Sequence, residues 1–507
     1  MARSRPLSAF PRVPDLDRSR HGAHLRLPQG PTRTGPLGEA PLSPDLTVSN
    51  RPKRGDWLAL AGPLAPADRA DGLPVAPLYG PGDAVAAGGE LRPLAWEIRA
   101  PVAHPDPATA NALILQALEG GAESVLLRVA PQGPDGCILR APADLGQTLD
   151  GVVLEAATVS LDAGFSGSRA AEWLGALAKG SPAARLDFHM DPLGDFARTG
   201  SSPGPVEAHL AQAAQTAARL AVTYPKAGLV LADGRVAHEA GGSPAQELGV
   251  TAAAALAYLR ALTAAGMSTP AALGGIVLGL AADRDVLVSI AKLRAARAIW
   301  AKIAAACGAP EVPARIEARS SGRMLTRAEP FANLDRLTAA GFAAAVGGAD
   351  AVVLAPFTEA LGRPDARAHR LSRNIGLILK HEAGLEGAED PAAGAWALEA
   401  LTDRLARDGW AAMQAIEATG GLLATLTSGS IAAEIAAVRA ARAQALSEGR
   451  ATIVGVPAFA DPGAAVLEVE PHAPPPAEDP SLRLPGPDSA CSRLTPWRLA
   501  EAFEAAA

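Results

Sequence analysis

With 507 residues the chain has room for about three domains of ordinary size. Its formal charge of −7 offers no basic excess for nucleic acid or an anionic membrane, and no apolar run approaches the ~18–20 residues that cross a bilayer. The 4% aromatic content argues against a β-sandwich, and three scattered cysteines (Cys137, Cys307, Cys491) argue against a disulfide framework and for a reducing cytoplasm.

Residues 1–54 carry ten Lys/Arg against four Asp/Glu and are rich in proline, without a sustained helical period. This composition predicts a flexible N-terminal arm over 1–56 and a wrapping segment over 57–100. From there to residue 460 two patterns alternate. Short apolar runs predict strands at Ser124–Val129, Gly151–Leu154, Arg185–His189, Gly228–Leu231, Gly275–Leu280, Arg315–Ala318, Ala351–Leu354 and Thr452–Val456. Most are continuous rather than alternating, as strands buried on both faces should be. Helical spacing predicts Pro107–Glu119, Ser168–Ala178, Val206–Ala221, Ala245–Ala265, Asp285–Ala306, Asn333–Val346, Ala366–His381 and Ala392–Ala418.

About eight βα units point to a (β/α)8 barrel over 101–460, with a doubly wound open sheet as the alternative. In a barrel the loops after the strands carry the chemistry, so those after Leu231, read as the end of strand 4, and after Leu354 draw attention. Residues 461–507 are dense in proline and acidic groups and read as a linker and tail.

The motifs give few sites by themselves. Asp187-Phe-His189 approaches the Asp-x-His-x-x-Gly pattern of a cobalamin-binding histidine, but Gly194 comes two positions late. His238-Glu239 lacks the second histidine of a His-Glu-x-x-His zinc site, since Gly242 stands there, and Glu239 suits the dipole of the next helix. Ala291-Lys-Leu-Arg-Ala-Ala-Arg-Ala-Ile-Trp300 reads as a packed helix with a solvated basic face. No P-loop, dinucleotide fingerprint or nucleophile elbow occurs.

Taken together, several segments carry a resemblance. They include Asp71-Gly-Leu-Pro-Val-Ala-Pro-Leu-Tyr79, Trp96-Glu-Ile-Arg99, Asp191-Pro-Leu-Gly194, Glu239-Ala-Gly-Gly-Ser-Pro-Ala-Gln-Glu-Leu248 and the Ala291–Trp300 helix. Met324-Leu-Thr326, Ala345-Val-Gly-Gly-Ala-Asp-Ala351 and Arg370-Leu-Ser-Arg-Asn374 follow in order. Over roughly residues 57–460 the chain resembles the methylmalonyl-CoA mutase family, most closely its small subunit.

The resemblance implies a TIM barrel that binds coenzyme A, followed in the catalytic member by a flavodoxin-like cobalamin domain. There adenosylcobalamin supplies the radical that interconverts (R)-methylmalonyl-CoA and succinyl-CoA, while the protein positions and secludes the reactants. The Trp497-Arg-Leu-Ala-Glu-Ala-Phe-Glu504 stretch resembles the entry to that domain, so the expectation is that a complete one is lacking.

The residues expected to serve catalysis depart from the family pattern. Arg235 stands for the family Tyr and Val236 for the His that donates to the thioester, with His238 two positions on. Gly275-Ile-Val277 replaces the Arg-Leu-Ser that meets coenzyme A. Ala328 begins the altered Gln-x-Pro segment, and Val353 with Leu354 replaces polar residues of another. Arg198, beside Thr199 at the carboxylate-binding position, is the one residual acyl-CoA contact expected. The expectation is a vestigial pocket of Arg235, Val236, His238, Gly275, Val277, Ala328 and Val353, closed by its own side chains. No catalytic residue and no metal ligand is expected.

The chain then reads as an inactive small subunit that binds no cofactor itself and pairs with a catalytic large subunit carrying adenosylcobalamin. Two other readings stay open: an active acyl-CoA mutase subunit working with a separate cobalamin chain, and a scaffold without a mutase partner.

Overall fold

The computed structural model describes residues 95–504 apart from positions 132, 182, 462, 464–466 and 478, together with a few positions between 55 and 83. The arm expected over 1–56 lies outside the described residues but for Gly55.

Eight parallel strands close into a barrel. They are β1 (Glu97–Val102), β2 (Ser124–Arg128), β3 (Thr158–Asp162), β4 (Leu186–Met190), β5 (Gly228–Asp233), β6 (Ile276–Ala282), β7 (Ile316–Ser320) and β8 (Ala351–Val353). Closure is made by Glu97 opposite Ala351 and Ile98 opposite Val352. The open-sheet alternative is thereby excluded.

Helices alternate with the strands: α1 (Pro107–Glu119), α2 (Pro142–Thr148), α3 (Gly167–Leu177), α4 (Pro192–Thr199), α5 (Val206–Thr223), α6 (Arg235–Glu239), α7 (Pro244–Ala264), α8 (Thr269–Gly274), α9 (Val286–Ala306), α10 (Ala332–Gly347) and α11 (Ala366–Leu377). Beyond them come α12 (Trp396–Ala418), α13 (Leu422–Ser428) and α14 (Ser430–Ser447). Their starts are written in the sequence. Asp106 accepts from the Thr109 amide ahead of Pro107, and Ser243 forms a reciprocal capping box with Gln246 ahead of Pro244. Gly348, at φ 89°, ends α10 in the left-handed region that favours glycine. Among the described residues no single helix is long and apolar enough to cross a membrane.

Two expected strands are absent. Gly151–Leu154 is a turn, and 452–456 makes only an isolated bridge between Val454 and Ala458. Two others were hidden, β1 and β3, so the strand ending at Asp233 is the fifth and not the fourth. Both hidden strands alternate, Glu-Ile-Arg-Ala-Pro-Val and Thr-Val-Ser-Leu-Asp, because this barrel's lumen is polar. A search for continuous apolar runs passes over such strands.

The segment after 461 is not free where it is described. Arg363 N donates to Glu470 O, and Ser489–Ala490 pairs antiparallel with Ser201–Ser202. Leu494 N then donates to Ala197 O, Trp497 N to Glu239 O and Leu499 N to Arg323 O, each over the C-terminal end of the barrel.

Candidate functional site

The strands bring chemistry to three levels along the barrel axis. At the C-terminal end a cavity of about 420 Å³ is lined by the strand ends and by Leu494, Pro496, Trp497 and Arg498. Strand β5 delivers Asp233 there, and the chain turns through Gly234 into α6. A Cβ at Gly234 would sit 1.9 Å from Thr251 Oγ1, so only glycine fits. Arg235 folds back onto Asp233, donating from Nε (2.6 Å) and Nη2 (2.7 Å), while Val236 lines the cavity.

Across the mouth Arg319 donates from Nη1 to Asp162 Oδ2 at 2.7 Å and from Nε to Glu317 Oε1 at 2.7 Å. Arg198 lies 4.0 Å from Asp162 and 3.8 Å from Asp233. Burial opposes charge on Asp162, yet Arg319, Arg198, Arg128 and Arg235 outweigh it and hold the carboxyl well below its usual range. Glu239 behaves oppositely. Burial pushes it up to about 7 although Arg323 and the amides of Gly322 and Arg323 favour its charged form.

The middle of the lumen is filled by ion pairs. Arg99 from β1 donates to Glu317 at 2.6 Å, Asp187 at 2.8 Å and Glu97 at 3.0 Å, and its Nε to Ser124 Oγ at 3.2 Å. Arg99, Asp187 and Glu317 are all buried. His189 sits in the same layer, fully buried at φ 45°, with Nδ1 3.8 Å from Glu317 and Nε2 3.9 Å from Asp187. Among the described residues neither ring nitrogen has a hydrogen-bond partner, and burial pulls the imidazole down to about 4. Below this layer, at the N-terminal mouth, lies a second cavity of about 740 Å³ lined by Glu97, Arg185, Lys226, Arg315 and Asp350 among others. No residue lines both cavities.

The single pocket expected from the sequence is therefore divided. Arg235, Val236, Val353 and Arg198 line the C-terminal cavity. Val277 lines the N-terminal one, and Gly275 precedes β6 at that same end, its carbonyl accepting from the amides of Leu229 and Val230. Strand polarity causes the split: Gly275 and Val277 begin a parallel strand, whereas Val236 follows the end of one. Leu354 lies in a crevice between the barrel and α11. Ala328 is exposed on a loop and lines neither cavity.

His238 is also outside the cavity. It is buried with Nδ1 3.0 Å from Glu247 and Nε2 2.8 Å from Ser321 Oγ, and burial together with Arg323 draws it down to about 4. Lys292 Nζ donates to Glu247 Oε2 at 2.5 Å, and although burial opposes charge there, Lys292 and His238 hold Glu247 down to about 2.

The helix expected to show a solvated basic face is instead a clamp. Lys292 is buried on Glu247, Arg294 pairs with Asp390 and Glu399, and Arg297 donates to Gly348 O, Ala314 O and Asp350. Glu239, expected to serve the following helix, accepts from the turn at Gly322–Met324 instead. The site residues that sequence reasoning missed are Arg99, Asp162, Glu317 and Arg319. Their signal was the alternation of polar residues in β1, β3 and β7.

The described residues do not fit a corrin. His189 is sealed inside the lumen, the C-terminal end is crossed by residues 494–499, and no group of three or more His, Cys, Asp or Glu could hold a metal. At the cavity the position expected for a proton donor is held by Val236, and the neighbouring carboxylates Asp162 and Asp233 are committed to arginines.

The sequence profile described as methylmalonyl-CoA mutase matches residues 96–478. A methylmalonyl-CoA mutase small subunit of Streptomyces virginiae is 39% identical over 372 residues, which is 72% of this chain and 59% of that protein. One from Propionibacterium freudenreichii subsp. shermanii is 32% identical over 430 residues, 80% of this chain and 65% of that protein. A methylmalonyl-CoA mutase of Cereibacter sphaeroides is 33% identical over 236 residues, covering 46% of this chain and 33% of that protein. The chain thus spans less than two thirds of the length of the small subunits it matches. It belongs to the methylmalonyl-CoA mutase family and resembles the family's small subunits.

Proposed function

We propose that this chain is the non-catalytic small subunit of a cytoplasmic adenosylcobalamin-dependent methylmalonyl-CoA mutase. It pairs with a catalytic large subunit as a heterodimer and serves that subunit's assembly or stability. In this reading the large subunit holds adenosylcobalamin, which supplies the radical chemistry. The complex interconverts (R)-methylmalonyl-CoA and succinyl-CoA. The residues of this chain bind no cofactor, and Arg198 at the C-terminal cavity is their one residual acyl-CoA contact.

The observation that carries the reading is the ion-paired lumen. Arg99, Asp187 and Glu317 occupy the barrel axis and satisfy one another, so a substrate entering there would have to separate buried charges. The C-terminal mouth agrees with it, because Val236 has no proton to give and Arg235 is tied to Asp233.

The test is to incubate the isolated chain with adenosylcobalamin and (R)-methylmalonyl-CoA. The expected result is no succinyl-CoA, and no corrin absorbance after desalting. Turnover by the chain alone, or stoichiometric corrin retention, contradicts the reading. Turnover only after addition of a small cobalamin-binding protein would favour the active-subunit alternative.

A further inference from the structure

The segment that crosses the C-terminal cavity is attached in two different ways. Up to Leu494 it belongs to the barrel: Cys491 N donates to Gly200 O, Arg493 Nε to Arg198 O and Leu494 N to Ala197 O, and Leu494 is buried in the main core. After Pro496 the apolar anchors change allegiance. Trp497, Leu499 and Ala500 pack with Leu446, Ile453 and Val456 in a small cluster separate from the barrel core.

The remaining ties to the barrel loops are few. Trp497 N donates to Glu239 O at 2.8 Å and Leu499 N to Arg323 O at 2.9 Å. Arg498 Nη1 reaches Leu325 O at 3.3 Å, and Glu504 accepts from the amides of Arg327 and Ala328. From α14, Arg439 stacks over the Trp497 ring at 5.2 Å. Pro496, Trp497 and Arg498 form one wall of the cavity that also holds Val236 and Asp233.

We propose that residues 496–504 are an intramolecular lid on the C-terminal cavity, hinged at Thr495–Pro496, which opens as a unit while the barrel stays folded. Its anchors lie in a satellite cluster, and its links to the barrel are two backbone hydrogen bonds together with the side-chain hydrogen bonds of Arg498 and Glu504. Such an element opens locally at a lower free energy than global unfolding. In the closed position the lid denies outside molecules the end of the barrel where chemistry of this fold class is placed. This holds for the chain with or without a partner, so it stands or falls separately from the assembly reading.

Hydrogen exchange on the full chain, resolved to the segments 496–504 and 228–233, reads the opening. The lid amides of Trp497 and Leu499 should exchange at least about tenfold faster than those of β5, and Trp497→Ala should speed only the lid by about another tenfold. Arg439→Gln, which removes the ring contact and leaves Trp497 in place, should act in the same direction and serves if Trp497→Ala fails to fold. Access is read by maleimide labelling of the thiol introduced by Val236→Cys, in a chain also carrying Cys307→Ser and Cys491→Ser. Labelling should be slow and should accelerate when Arg439→Gln is added. If lid and β5 amides exchange at one common rate in every variant, or if the thiol labels equally fast with and without Arg439→Gln, there is no separate lid.

Discussion

Replacing Arg99 with methionine is the sharpest perturbation of the lumen. The guanidinium is buried and hydrogen-bonded to Glu317 at 2.6 Å and Asp187 at 2.8 Å, both themselves buried. Arg99→Met keeps much of the side-chain bulk but removes the shared cation of two carboxylates. Asp187 retains Arg315 and Glu317 retains Arg319, so neither is stripped completely. Breaking a buried pair from one side costs about 3–5 kcal/mol, a large part of a fold's ~5–15 kcal/mol margin. In a thermal melt that is a fall of about 3–6 °C for a chain of this size.

The pH dependence separates this cause from lost packing. Burial opposes charge on both groups, but the neighbouring arginines and His189 hold Asp187 and Glu317 well below the usual carboxylate range. A depressed carboxyl contributes stability above its unfolded pKa, and loses it as pH falls through its folded pKa. The gap between wild type and Arg99→Met should therefore be full above about pH 4.5 and shrink below it. Adding Glu317→Gln should recover part of the loss, because one unpaired charge goes. A variant melting within about 1 °C of wild type, or a gap that ignores pH, refutes the account of the lumen.

Three further outcomes follow from the Glu247 cluster and the C-terminal cavity. Lys292→Met should lower the urea midpoint by the equivalent of about 3–5 kcal/mol, since Glu247 then loses its cation and is left with hydrogen bonds from the His238 ring and the Ala281 amide; an unchanged midpoint would remove the clamp role of α9. Glu239 has its folded pKa raised to about 7, so the folded state prefers the neutral form and stability is lost as pH rises from the ordinary carboxyl range toward that value. Melting temperatures should therefore favour Glu239→Gln increasingly as pH rises from about 4.5 to about 7, level off above that, and show little difference below about pH 4.5, and the opposite trend would overturn the burial argument. Combining Arg235→Tyr with Val236→His, to restore the family's residues, should yield no mutase activity with adenosylcobalamin. It should also lower the melting temperature because Asp233 loses both side-chain donors from Arg235; succinyl-CoA formation by that variant would show that the site is merely two substitutions from function.

The outer half of this fold is legible in the sequence, and the inner half is not. Helices with a proline start and an Asp or Ser cap, such as α1 and α7, show themselves because their signals are local, whereas the short α4 was passed over despite the same signals. Strands β2, β5 and β6 have continuous apolar interiors and are equally plain. Strands β1 and β3 were missed because polar residues interrupt them, and those residues find partners on other strands: Thr158 with Glu97, Ser160 with Asp187, Asp162 with Arg319. Such pairings join positions far apart in the chain, and no local pattern encodes them.

The site fared similarly. Val236 and Val353 were legible as cavity residues, but the pocket drawn from aligned motifs merged two ends of the barrel. His238 and Lys292 read as surface or pocket groups, yet each is buried on Glu247. Helical spacing assigns them a face, whereas the tertiary neighbour decides whether that face meets water.

The most direct test of the central claim is co-expression of this chain with a methylmalonyl-CoA mutase large subunit, followed by native mass measurement of what purifies with it. The account predicts a one-to-one complex in which adenosylcobalamin and all turnover belong to the large subunit, with turnover unaffected by Arg235→Ala in this chain. Purification of the two proteins apart, or loss of turnover on Arg235→Ala with the complex intact, would contradict it.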